Sequence, residues 1–153
     1  MYYHDITKDD MKNGEGLRVV LWVSGCNHKC EGCQNPITWN PNDGVLFDEA
    51  AKAELYAQLE KTYISGITFS GGDPLYDANR EEVTALAKEI AERFPEKTIW
   101  LYTGYYYEEV KHLEIMKYID VLVDGPYEQE NRDDKLHWCG SSNQHVLYLK
   151  QDK

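Results

Sequence analysis

The sequence predicts an α/β fold in which a parallel sheet carries helices packed against it. Three observations point there. Short β-rich apolar runs alternate with longer segments of helical periodicity, the order that builds strand-helix-strand units. Each apolar run ends in a cluster of Gly, Asp, Ser or Thr, so the unusual loops all follow strand C-termini, the edge where α/β folds bind ligands. The chain has 153 residues, too few for a closed eight-unit barrel of roughly 250. At 42% apolar and 12% aromatic it has enough core-forming residues to offset the entropy of folding, and residues 1–153 are expected to form one domain.

The elements follow in order. Arg18-Val19-Val20-Leu21-Trp22-Val23 is almost continuously apolar, the pattern of a strand covered on both faces, and runs directly into Ser24-Gly25-Cys26. After a polar loop containing Pro36, Pro41 and Gly44, Asp48 opens a helical pattern in which Leu55, Leu59 and Tyr63 recur at four-residue spacing, with an end expected near Ser65-Gly66. Ile67-Thr68-Phe69 reads as a second strand, broken at Gly71-Gly72-Asp73-Pro74. Asn79, with Glu82 three residues on, reads as the N-cap of a helix whose apolar face is Val83, Leu86, Ala87, Ile90 and Phe94, stopped by Pro95. Thr98 to Tyr102 predict a third strand ending at Thr103-Gly104, Glu108 to Met116 a shorter helix, and Ile119 to Val123 a fourth strand ending at Asp124-Gly125-Pro126. His145 to Leu149 add a last strand.

Charge narrows the partners. Sixteen basic residues against 27 acidic ones give a net charge of −11, which repels phosphate backbones and anionic lipid, so neither nucleic acid nor a membrane is expected, and a protein surface of basic character fits better. No apolar run approaches the roughly 18 residues of a spanning helix, and Met1-Tyr2-Tyr3-His4-Asp5 lacks the pattern of a signal peptide. The expected location is the cytoplasm.

Four cysteines divide into Cys26, Cys30 and Cys33 on one short loop and Cys139 far downstream. A chain that can bury its own core does not need a disulfide framework. The spacing C-x3-C-x2-C can supply three thiolates to a cubane iron–sulfur cluster and leave one iron without a protein ligand. The alternative is a zinc site completed by His28. Structural zinc sites usually join separated ligand pairs, whereas these candidates share one loop.

Taken together, the cysteine triplet after the first apolar run and Gly71-Gly72-Asp73-Pro74 after the second resemble the radical S-adenosylmethionine enzymes. Further segments narrow the likeness: Asn13-Gly14-Glu15-Gly16-Leu17-Arg18, Gly25-Cys26-Asn27-His28-Lys29-Cys30-Glu31-Gly32-Cys33, Thr38-Trp39, Ser70 to Leu75, Trp100 to Tyr105, Val123-Asp124-Gly125 and Gly140-Ser141-Ser142-Asn143-Gln144. In that order they resemble the family of activating proteins of the anaerobic (class III) ribonucleotide reductase.

The resemblance implies a partial (β/α) barrel of the radical S-adenosylmethionine type. It implies a [4Fe-4S] cluster on Cys26, Cys30 and Cys33, with S-adenosyl-L-methionine bound at the open iron and reductively cleaved there. Gly71, Gly72 and Asp73 would receive its methionyl end, Gly32, Cys33 and Gln34 its adenine, and Thr103 and Asp124 would stand around it. The implied partners are the large subunit of the anaerobic ribonucleoside-triphosphate reductase, which receives a glycyl radical, and a small reductant protein of flavodoxin or thioredoxin type. Tyr105, Tyr106, Tyr107 and Tyr127 are candidates for a docking surface. Gln34 replaces the aromatic residue that relatives often carry, and Cys139 stands where they commonly have arginine. Activation of another glycyl-radical enzyme, such as a pyruvate formate-lyase, and a zinc-stabilised interaction module are the competing readings.

Overall fold

The structure, a computed structural model, describes residues 1–25, 44–133, 135–136 and 138–150. Seven strands form one open sheet: β1 (Tyr2–Asp10), β2 (Arg18–Val23), β3 (Val45–Leu46), β4 (Gly66–Gly71), β5 (Thr98–Tyr102), β6 (Val121–Asp124) and β7 (His145–Tyr148). Their spatial order is β3-β1-β2-β4-β5-β6-β7. The central four, β2, β4, β5 and β6, are parallel, while β1 and β3 on one side and β7 on the other run antiparallel. The sheet is thus mixed rather than wholly parallel.

The helices α1 (Glu49–Leu59), α2 (Asp77–Arg93) and α3 (Tyr107–Val110) connect successive neighbours of the parallel set. Each crossover steps the same way across the sheet, and right-handed connections then put every helix on one face. Strand alternation follows that division. Val19, Leu21, Val23, Ile67, Phe69, Ile99, Leu101 and Leu122 join Leu55, Leu59, Val83, Leu86, Ile90 and Val110 in the main core. On the opposite face Trp100, Val121 and Val123 form a smaller cluster with Tyr102, Trp138, Cys139 and Val146.

Three elements differ from the sequence expectation, each for a local reason. α1 stops at Leu59 rather than near Ser65, and Tyr63 is 54% exposed. Ile64 takes the core place, and buried Lys97 donates its ammonium to the carbonyls of Lys61 (2.9 Å) and Ile64 (2.6 Å) in the turn that ends the element. Asn79 is not the N-cap of α2; Tyr76 is, and Asn79 sits inside the first turn. The segment expected as one helix over Glu108 to Met116 is instead α3 followed by a 3-10 turn at Glu114–Lys117. Val110 and Ile115 are both buried, and five residues apart they do not share one face of an unbroken helix. β1 and β3 escaped the sequence reading altogether.

The N-terminal ends of the parallel strands are closed by Arg18, which is fully buried. Its guanidinium donates to Thr68 Oγ1 (2.9 Å), Thr98 Oγ1 (2.8 Å) and the carbonyls of Glu15, Ile67 and Thr98 (2.9, 2.8 and 2.7 Å). It also lies 5.5 Å from the centre of the Trp100 ring. Burial pushes it down to about 10, still a cation at neutral pH. Gly66 makes this closure possible: a Cβ there would stand 1.9 Å from the Thr98 carbonyl and 2.8 Å from the guanidinium. Replacing Arg18 by Met strands those acceptors, and urea unfolding of the metal-free protein is expected to show a loss of about 3 kcal/mol or more; a loss below about 1 kcal/mol would contradict the role assigned to these bonds.

Candidate functional site

The opposite edge, at the C-termini of the parallel strands, is organised by one carboxylate. Asp73 is completely buried. Thr103 Oγ1 lies 2.9 and 3.0 Å from its two oxygens, and the amides of Gly104 and Leu75 each donate to it at 2.9 Å. The ends of β4 and β5 and the approach to α2 are therefore held by a single side chain.

Backbone geometry delivers Asp73 to that position. Gly71 has φ +109°, and a Cβ on it would lie 2.5 Å from the Val23 carbonyl oxygen and 2.6 Å from the Val23 nitrogen. Only glycine permits both the left-handed turn and this approach to β2. The Gly72 amide then donates to Val23 O at 2.9 Å and the Asp73 amide to Gly25 O at 2.6 Å. Asn79 completes the tie from α2: buried, it donates to the carbonyls of Ser24 (2.7 Å) and Asp73 (3.3 Å). Its side chain serves these two carbonyls instead of the helix end, which is why it does not cap.

A second buried carboxylate, Asp124, holds the far side of the β5–α3 loop. It accepts from the Tyr107 amide at 2.8 Å and from the His145 amide at 3.0 Å, with His145 Nδ1 also 3.0 Å away. Thr103 N donates to Val123 O and Gly125 N to Tyr105 O, so the loop is pinned between Asp73 and Asp124. The segment from Gly140 to Gln144 closes over the end of β6. Gln144 accepts from the amides of Gly140 and Ser141 and donates to Gly125 O, while Asn143 donates to Pro126 O and to the Tyr106 hydroxyl.

Of the site residues read from the sequence, Gly71, Gly72, Asp73 and Thr103 meet directly, and Asp124 joins them through the shared loop. Cys26, Cys30, Cys33, Gly32, Gln34 and the zinc alternative's His28 lie outside the described residues. What is described is the stretch just before them in sequence: Val23, Ser24 and Gly25, all buried and bonded to Gly72, Asp73 and Asn79. Among the described residues, no three His, Cys, Asp or Glu side chains could together hold a metal ion. The sequence reading gives Asn79 only as a helix cap and Asn143 and Gln144 only as part of a family-like segment, none of them as a site residue. The available signal was their place beside Gly/Asp-rich strand ends, where an amide can bond several main-chain groups.

Cys139 stands apart. It is half-buried beside Trp138, and burial, followed by the negative charge of Asp124, pushes its thiol pKa up. Such a thiol is protonated at neutral pH and a poor ligand or nucleophile. Tyr105, Tyr106, Tyr107 and Tyr127 are all half-buried; the Arg80 guanidinium lies 6.0 Å from the Tyr105 ring centre. No helix among the described residues is long and apolar enough to cross a membrane.

The Asp73–Thr103 contact yields a stability prediction independent of any cofactor. Asp73→Ala leaves a buried hydroxyl and two amides without their acceptor and is expected to cost about 3 kcal/mol in the metal-free protein. In a double-mutant cycle with Thr103→Val, read by urea unfolding, the two changes should couple by about 1 kcal/mol or more; strict additivity would show that they do not share the interaction.

A family model described as a 4Fe-4S single cluster domain matches residues 12–147. Curated relatives match over nearly their whole length. The anaerobic ribonucleoside-triphosphate reductase-activating protein of Enterobacteria phage T4 is 52% identical over 95% of this chain and 93% of its own. The proteins of the same name from Haemophilus influenzae and Escherichia coli K12 are each 41% identical over 98% of this chain, and over 99% and 100% of their own lengths. With its 4Fe-4S domain match and this near-complete likeness, the chain belongs to the family of anaerobic ribonucleoside-triphosphate reductase-activating proteins.

Proposed function

We propose that this protein is a radical S-adenosylmethionine activase that installs a glycyl radical on an anaerobic ribonucleoside-triphosphate reductase. The observation that carries the proposal is the bonding of Val23 and Gly25 to Gly72 and Asp73. That bonding sets the residues immediately preceding the three-cysteine segment in sequence against the Gly-Gly-Asp-Pro turn at one sheet edge.

The residues fit the implied cofactors. Cys26, Cys30 and Cys33 are the proposed ligands of a [4Fe-4S] cluster, consistent with the 4Fe-4S domain match and with three thiolates leaving one iron open. When bound, the cluster and S-adenosyl-L-methionine supply the one-electron cleavage of the sulfonium that leads to hydrogen abstraction from glycine. The chain's own part is to bind and orient. Gly71, by tolerating φ +109°, lets the main chain of Gly71 and Gly72 approach a methionyl group without an intervening side chain. Asp73 is assigned to its ammonium, for which a carboxylate is the charge-assisted partner. Gly32, Cys33 and Gln34 are assigned to the adenine side, and Thr103 and Asp124 fix the β5–α3 loop beside it.

The open sheet suits a substrate that is a loop of another protein. We read it as a partial (β/α) barrel and residues 1–153 as a single radical S-adenosylmethionine domain working in the cytoplasm, with a flavodoxin- or thioredoxin-type protein as electron donor. The Cys139 thiol, protonated and half-buried, is left out of the ligand set.

Anaerobic reconstitution with iron and sulfide, followed by reduction, should give a protein that converts S-adenosyl-L-methionine to 5′-deoxyadenosine and methionine. Cys26→Ala, Cys30→Ala and Cys33→Ala should each abolish this cleavage, measured by chromatography, while Cys139→Ser should retain it. Tightly bound zinc with no reducible cluster, or equal loss from all four cysteine variants, would overturn the assignment.

A further inference from the structure

We propose that the outer edge of β7 is a docking strand, onto which an extended, basic segment of the reductase adds as an eighth strand beside the strand-end loops. This rests on the activase reading above and concerns how its partner is held.

The hydrogen-bond phase of β7 is set by its ends. The Leu149 amide donates to Asp120 O at 2.8 Å and the His145 amide to Asp124 Oδ1 at 3.0 Å, and Leu147 pairs with Leu122 between them. In an antiparallel ladder alternate residues bond to the neighbour, so the amides and carbonyls of Val146 and Tyr148 point away from β6. Among the described residues these outward groups have no partner. Native edges are usually blunted by bulges, Pro or Lys. The run from His145 to Leu149 has no Pro or Lys, and its register with β6 is unbroken over four pairs. The opposite edge of the sheet, β3, is only two residues long.

The flanks of the edge suit a further strand. On one face Val146 packs against the cluster of Trp100, Val121 and Val123, and the 48% exposed Tyr148 ring stands 6.2 Å from Trp100. On the other, Leu147 and Leu149 are half-buried against the main core. A segment antiparallel to β7 runs with β6, and its next residues arrive at the edge that carries Asp124 and Thr103.

The occupant follows from energetics and charge. Two residues with one donor and one acceptor each offer a second copy of this chain too little to offset free association, and both copies would carry a net charge of −11. A segment of a protein already engaged at the adjoining edge binds at high effective concentration, and basic side chains on it are attracted rather than repelled.

Residue-resolved amide exchange of the reconstituted protein, alone and in anaerobic complex with the reductase, tests this. Val146 and Tyr148 should exchange freely in the isolated protein and slow by about tenfold or more in the complex, while Leu147 and Leu149 stay protected in both. Val146→Pro deletes an outward donor without removing a bond to β6. It should weaken the complex by about tenfold and leave the protein's own cleavage of S-adenosyl-L-methionine unchanged. A complex that forms with no change at Val146 and Tyr148 overturns the proposal, and the exchange result decides even where the proline variant fails to fold. Protection that rises with protein concentration in the absence of reductase assigns the edge to a second copy and overturns it too. Wild-type protein that neither cleaves S-adenosyl-L-methionine nor binds the reductase refutes the activase reading itself, whereas cleavage and binding with unaltered exchange refute the docking edge alone.

Discussion

The strand-end edge depends on the buried carboxylate of Asp73. A carboxylate without solvent is tolerated only when its lone pairs are occupied, and here the donors come from the ends of neighbouring elements: the Thr103 hydroxyl, the Gly104 amide and the Leu75 amide. Meeting that requirement fixes the spacing of β4, β5 and the start of α2. The main chain of Asp73 extends the constraint to β2, since its amide bonds Gly25 and Asn79 bridges its carbonyl to Ser24. The stretch Val23 to Gly25, which precedes the three clustered cysteines in sequence, is therefore positioned by hydrogen bonds as well as by apolar packing.

The two ends of the parallel strands solve opposite problems. At one end the Arg18 guanidinium satisfies five neutral acceptors and closes the sheet, which makes that end a matter of stability. At the other, Gly71, Gly72 and the buried carboxylates of Asp73 and Asp124 hold main chain in place. Asp124 repeats the device on a smaller scale, bonding the amides of Tyr107 and His145. Between Asp73 and Asp124 the β5–α3 loop has little freedom, so its shape is present before anything binds. Preorganisation of this kind lowers the cost of ordering a site around a ligand.

Much of this was legible in the sequence because the signals were periodic or chemically distinctive. The continuous apolar run at Arg18 to Val23 and the apolar face of α2 are direct readings of burial, and Gly71 to Pro74 stood out as a break after a strand. β1 was not legible: in Tyr2–Asp10 only Ile6 is buried, so a strand made largely of polar and aromatic residues gives no alternation to detect. β3, two exposed residues, gives less still. Asn79 looked like a cap because asparagine usually is one at a helix start; its use as a link between Ser24 and Asp73 is a tertiary fact that no local pattern encodes. Thr103 was singled out by its place at a strand end and, through the family resemblance, around the cofactor. Its bond to Asp73 required knowing that β4 and β5 are adjacent.

The most direct measurement of the central claim is electron paramagnetic resonance on the reconstituted, reduced protein, frozen after anaerobic incubation with the reductase and S-adenosyl-L-methionine. A glycyl-radical signal on the reductase that appears only when all three components are present, and is absent with Cys30→Ala, is the predicted result. A protein that carries a reducible cluster and cleaves S-adenosyl-L-methionine yet never yields that signal would contradict it.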